Sequence, residues 1–229
     1  MDVMLPQASL FLGIIPALLL LYISLKGYGE HYKDKTVFLT FVIGIILGFV
    51  AAFVQSFTIA GVIIYIILLA FFDQLLKTMV LNIGRFQEKK ESPIYGLSLG
   101  LGFGSAFTPF LIIAVNSLIT SDVYVLSLIA VGSLGIIMFH GATGAYIGYG
   151  ICAGKLIKYL LTAIVIQLPF NLLLGLAIIY SKPETLYEQI GLVTGLIIYG
   201  IIVFWYVVTK IMPQILTGTK RRKRTKKAT

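Results

Sequence analysis

The stretch Val123–Ala153, VYVLSLIAVGSLGIIMFHGATGAYIGYGICA, decides how this chain is organised. It holds no charged residue over 31 positions. A helix rises about 1.5 Å per residue, so roughly 20 residues cross a hydrocarbon core of about 30 Å. The stretch is therefore either one long tilted helix or two short spans. That choice sets whether the two ends of the chain lie on opposite sides of a membrane or on the same side.

The composition makes lipid the solvent. Of 229 residues 59% are hydrophobic and 12% charged, against about 45–50% and 25% in soluble domains. Mean hydropathy is +0.99. Such a chain has too little polar surface to coat a water-soluble globule, and it is too apolar to be disordered outside its basic C-terminal tail. Six further apolar runs flank the first: Ala8–Leu25, Thr36–Val54, Phe57–Ile83, Pro93–Ile119, Leu156–Tyr180 and Leu186–Val208. The run from Phe57 stays apolar to Phe72 and then carries Asp73 and Lys77. All seven are predicted to be helices, because an open strand would leave backbone groups unpaired in lipid.

Charge parity selects one helix for Val123–Ala153. With seven spans, the gaps after the first, third and fifth share a side with the tail. Those segments hold Lys26, Lys33 and Lys35; Lys77, Arg85, Lys89 and Lys90; Lys155 and Lys158; and the eight basic residues from Lys210 to Lys227. That is 17 of the 18 basic residues, leaving Lys182 alone on the other side with Asp2, Asp122, Glu184 and Glu188. An eighth span would reverse the positive-inside bias. The expectation is an all-α polytopic protein with its N-terminus outside and its C-terminus cytoplasmic. Residues 1–209 form the seven-helix transmembrane domain and residues 210–229 the basic cytoplasmic tail.

The net charge of +9 is thus a topology signal, and the tail reads as an anionic-lipid contact with no nucleic acid implied. The flank MDVMLPQ carries no positive charge, and no small-residue cleavage site follows, so the first span reads as retained. The single cysteine, Cys152, allows no intrachain disulfide.

Polar side chains inside the runs need a reason, since a charge at mid-membrane costs at least ~2.5–3.5 kcal/mol. Asp73 and Lys77 stand four residues apart and share a helix face. One reading is an intrahelical ion pair with Lys77 snorkelling to the interface; the other is a functional pocket. His140 lies near the middle of its run among Gly141, Thr143, Gly144 and Gly148, and reads either as an interhelical hydrogen bond or as an acid, base or ligand lining a cavity. Gln167 and Asn171 are again four apart, with Pro169 between them, and are expected to join helices. By counting along each run, Asp73, His140, Gln167 and Asn171 fall at similar depth.

Gly96, Gly100 and Gly104 recur every four residues in IYGLSLGLGFGSAFTPF, with Ser98, Gly102, Ser105 and Thr108 nearby. With Gly144 and Gly148 they read as helix-packing positions that let backbones approach. Gly48, a lone glycine in the second run, is expected to matter far less.

The order of these motifs resembles the PrsW branch of the superfamily that contains the CAAX prenyl proteases. The branch pattern is an E-E-x-x-K helix, then Y-G-x-x-x-G-L-G-F-A-x-x-E-N, then a His before a glycine-rich stretch, then H-x-x-x-N or H-x-x-x-D. Here the series reads Asp73-Gln74-Leu75-Leu76-Lys77; Tyr95-Gly96 through Gly104, with Phe107 and Thr108 at the E-N positions; His140 followed by Gly144 and Gly148; and Gln167-Leu168-Pro169-Phe170-Asn171. The resemblance covers roughly Phe71 to Leu173. It implies a multi-pass protein of a prokaryotic plasma membrane.

The glutamates and one His of the pattern are replaced. The stretch Gly96-Leu97-Ser98-Leu99-Gly100-Leu101-Gly102-Phe103-Gly104 is also similar to the G-L-S-x-G-x-x-x-G stretch of the anterior-pharynx-defective subunit of γ-secretase, a seven-helix relative that is not itself the protease. The resemblance therefore implies a non-catalytic scaffold with a protease-like fold, binding another membrane protein or a transmembrane peptide and needing no cofactor. Two alternatives stand beside it. One is an active intramembrane protease with Asp73 as base, His140 as polariser and Asn171 as oxyanion donor, where zinc is conceivable although one His and one Asp make a poor site for it. The other is a small-solute transporter using the same polar pocket, for which no inverted repeat speaks.

Overall fold

The computed structural model describes residues 4–56, 63–84, 86, 90–110, 123–180 and 185–215. Among these residues there is no strand. The helices are α1 (Met4–Leu25), α2 (Asp34–Ser56), α3 (Ile63–Leu81), α4 (Ser92–Ser105), α5 (Val123–Cys152), α6 (Leu156–Ile179) and α7 (Leu186–Tyr206). A 3₁₀ turn, Gly29–His31, lies between α1 and α2, and a π turn, Val207–Ile211, prolongs α7. Among the described residues four segments are long and apolar enough to cross a membrane: Asp34–Ser56, Ser127–Cys152, Leu156–Ile179 and Leu186–Ile211. The protein is helical and membrane-embedded.

The stretch that opened the question is one unbroken helix, α5. It ends where Gly154 takes the left-handed conformation at φ 66. Gly154 N–H then bonds the Ile151 carbonyl at 3.1 Å and Lys155 N–H the Gly150 carbonyl at 2.8 Å. That pairing satisfies the last carbonyls of a helix and needs a residue without Cβ at the turn.

The fourth run opens with a helix, α4, of 14 residues, about 21 Å at 1.5 Å per residue. Pro93 starts it, at a position where a missing N–H costs nothing. It breaks at Ala106, whose N–H reaches back three residues to the Phe103 carbonyl at 3.4 Å. The Ser105 hydroxyl donates to the Gly102 carbonyl at 2.7 Å, tightening the same turn. Helix resumes over 107–110, and 111–119 of the expected span lie outside the described residues. Residues 57–62 of the third run and 216–229 of the tail lie outside them too.

Every residue of α4 is buried. Its neighbours are α1, α2, α3 and α5, with α5 and α2 packing on it most extensively. Glycines make this possible. A Cβ on Gly96 would strike the Gly144 carbonyl, one on Gly100 the His140 carbonyl, one on Gly104 the Ile137 backbone, and one on Gly148 the Ser92 carbonyl. As numbers rise on α4 they fall on α5, so the two run antiparallel with backbones touching over the whole of α4.

A second seam runs along α2. A Cβ on Gly44 would meet the Leu99 carbonyl, one on Gly48 the Phe103 carbonyl, and one on Gly102 the Phe41 carbonyl. Ser98 adds a hydrogen bond from its hydroxyl to the Val37 carbonyl at 2.6 Å. Numbers rise together here, so α2 and α4 are parallel. This corrects the expectation for Gly48: it looks isolated on α2, but the glycine-rich partner it needs is α4.

α7 lies parallel to α5. Cβ atoms placed on Gly135 and Gly200 would meet Leu196 and Gly135 respectively. The bundle continues past the boundary expected at residue 210. Ile211, Met212 and Ile215 are buried in the core cluster, and the Tyr149 hydroxyl donates to Gln214 Oε1 at 2.5 Å. These side chains are apolar or amide and so pack inward, whereas after Lys210 the next basic residue is Lys220.

Candidate functional site: a buried polar cluster

All five polar positions singled out in the sequence meet inside the bundle, in two linked networks. α3 runs antiparallel to α6, which sets Asp73 opposite Gln167. Gln167 Nε2 donates to Asp73 Oδ2 at 2.6 Å and lies 3.3 Å from Asn171 Oδ1. The neighbouring Gln74 donates from Nε2 to Gln167 Oε1. Asn171 Nδ2 donates to the Ile66 carbonyl at 3.2 Å, tying α6 to the backbone of α3. Gln55, from the end of α2, places Nε2 at 3.3 Å from both oxygens of Asp73.

The second network starts one turn along α3. Lys77 Nζ lies 3.1 Å from His140 Nδ1 and donates to Thr143 Oγ1 at 2.8 Å. With the ammonium as donor, Nδ1 is the acceptor and the imidazole proton sits on Nε2. The ammonium also lies 5.1 Å from the centroid of the Phe103 ring, within range of its negative face. Lys77 is fully buried, at 0% exposure. Of the two readings of Lys77, the snorkelling one is not what the structure has, because acceptors on α5 satisfy the ammonium where it stands. Asp73 and Lys77 share a face as expected, yet each is spoken for by different helices.

Aromatic rings enclose the imidazole. Phe107 stacks on His140 with centroids 5.3 Å apart and planes 15° from parallel. Phe103 stands at 4.8 Å, Phe139 at 5.7 Å and Phe170 at 5.9 Å. Phe107 occupies the position at which the PrsW-like pattern has a glutamate. Thr108, at the adjoining position, packs against Gly13 of α1.

Three members of the cluster were not singled out from sequence. Gln55 lies at the end of its run, where amides are common. Gln74 was seen only as a motif replacement. Thr143 follows His140 by three residues, and that spacing was the available signal that the two share a helix face. The Oε1 of Gln74 is buried and takes no hydrogen bond among the described residues, so the cluster is one donor short.

Thr143 also connects the cluster to the exterior. It lines a cavity of 430 Å³ between α5, α6 and α7, together with Ala142, Thr162, Tyr199 and Trp205. Among the described residues no three His, Cys, Asp or Glu side chains come together around a point that an ion could occupy. The donor set does not fit a zinc centre, which needs three or four such ligands.

Fold and cluster together define a helical membrane protein with a buried polar core. No protein-family model, no curated protein and no solved structure matches the chain.

Proposed function

We propose that this chain is a seven-span, PrsW-like scaffold of a prokaryotic plasma membrane, without catalytic activity, that binds another membrane protein or a transmembrane peptide. The observation that carries the reading is the Phe107 ring stacked on His140. A catalytic site needs a carboxylate and water beside the imidazole, and that face of the ring is taken by a hydrocarbon. Asp73, the carboxylate of the cluster, is held by amides of Gln55 and Gln167. The partner would lie in the cavity between α5, α6 and α7, whose small floor residues Ala142 and Thr143 admit a close approach.

Purified protein is expected to carry zinc well below one equivalent and to cleave no transmembrane model peptide. Stoichiometric zinc, or cleavage lost in His140→Gln, would turn the reading into the protease alternative with Asp73 and His140 in catalytic roles.

The proposed topology is N-terminus outside and C-terminus cytoplasmic, with anionic lipid at the tail. Supporting it are the unbroken α5, the parallel pairs α2/α4 and α5/α7, and the 17-to-1 division of basic residues. Tags near Tyr32 and after Thr229 are expected to be protected in intact cells, and a tag near Glu184 to be accessible. An accessible C-terminal tag would mean the span count is off by one.

A further inference from the structure

Consecutive helices of a bundle normally pack on each other, but α1 and α2 barely touch. α1 packs on α4 and α5, and α2 packs on α3 and α4. Between α1 and α2 lies a groove of 330 Å³. Its chemistry is graded along the helices. Leu18 and Leu21 of α1 and Val37 and Phe41 of α2 line the part away from the connecting turn. Lys26, at the end of α1, Asp34, at the start of α2, and Tyr32 between them line the part beside the turn. Leu18, Tyr22 and Phe38 along its sides are 42%, 75% and 67% exposed. In a membrane the apolar part faces acyl chains and the charged mouth sits at headgroup depth, where tyrosines also concentrate.

A mouth with one cation and one anion is complementary to a headgroup with both. We propose that the groove between α1 and α2 binds one glycerophospholipid bearing a primary-amine headgroup. Its phosphate lies at Lys26 and the Tyr32 hydroxyl, its ammonium donates to Asp34, and an acyl chain lies along the exposed Leu18, Tyr22 and Phe38. A basic mouth alone would favour an anionic lipid; Asp34 disfavours a second negative charge and offers an acceptor to an N–H donor. A quaternary ammonium has no N–H to give, so the same site discriminates between zwitterionic lipids. The site is independent of the scaffold reading, since it requires only that the α1–α2 turn lie at a membrane surface.

The test uses the full chain, delipidated in detergent. Binding of dioleoyl phosphatidylethanolamine, dioleoyl phosphatidylcholine and dioleoyl phosphatidylglycerol is measured by native mass spectrometry. The ethanolamine lipid is expected to bind at one site about tenfold more tightly than the choline lipid, the worth of one charge-assisted hydrogen bond. Asp34→Asn should erase that preference, and Lys26→Gln should weaken both zwitterionic lipids. Both residues are exposed, and unchanged melting of the two variants controls for folding. Equal binding of the two zwitterionic lipids by the wild type would overturn the proposal. So would tightest binding of the glycerol lipid, or a preference that survives Asp34→Asn.

Discussion

Gly100→Leu is expected to abolish the folded bundle in detergent, and Gly100→Ala to lower its thermal midpoint strongly. The reason is backbone contact. The first carbon of any side chain at this position would occupy the space of the His140 carbonyl, and a backbone atom cannot rotate away as a side-chain end can. α4 and α5 would have to separate along their whole seam, so the cost exceeds the ~1–3 kcal/mol typical of overpacking at a deformable site. Gly48→Leu is expected to be comparably damaging, because its Cβ would strike the Phe103 carbonyl of α4. Gly175→Leu is the control: nothing lies within 4 Å of a Cβ there, and its midpoint should be close to wild type. Thermal melts of the four variants check this. Tolerance of Gly100→Ala would mean that the α4–α5 contact is looser than described.

The second large effect is expected at His140. His140→Ala removes the acceptor 3.1 Å from the Lys77 ammonium and empties the space beside Phe103 and Phe107. A buried group left unpaired costs about 1–3 kcal/mol, and more when it is charged. Lost ring packing adds to that. His140→Gln restores an acceptor and should recover most of the midpoint, with the remaining deficit set by the missing ring. In the scaffold reading, partner binding follows the fold, so it falls in the Ala variant and returns in the Gln variant. In the protease reading the Gln variant is folded but inactive, because an amide does not titrate near neutral pH. Paired melting and cleavage measurements separate the two, and an unchanged melt for His140→Ala would remove the case for a tightly coupled cluster.

Much of the helical framework was legible because the bilayer is a strict solvent. Uncharged runs of the required length announce helices, and Val123–Ala153 was correctly read as one helix from where the lysines fall on either side of it. The candidate site was legible for the same reason. Asp73, Lys77, His140, Gln167 and Asn171 stand out because a polar group in lipid is expensive enough to need a partner. Their partners were not legible. Periodicity assigns a residue to a face of its own helix and says nothing about which helix lies opposite.

The amino-acid sequence by itself therefore determined that the chain is helical and membrane-embedded, and which side chains must be satisfied inside it. Only the tertiary structure decided how. It sends Lys77 inward to His140 and Thr143 instead of outward to the interface, divides Asp73 from Lys77 between two networks, and brings Gln55 in from α2. It makes Gly48 a contact residue and encloses α4 on all sides. Each of these depends on the distance between backbones that are far apart in the chain. That distance is set by glycines on one helix meeting carbonyls on another, a property of the pair that neither segment carries alone.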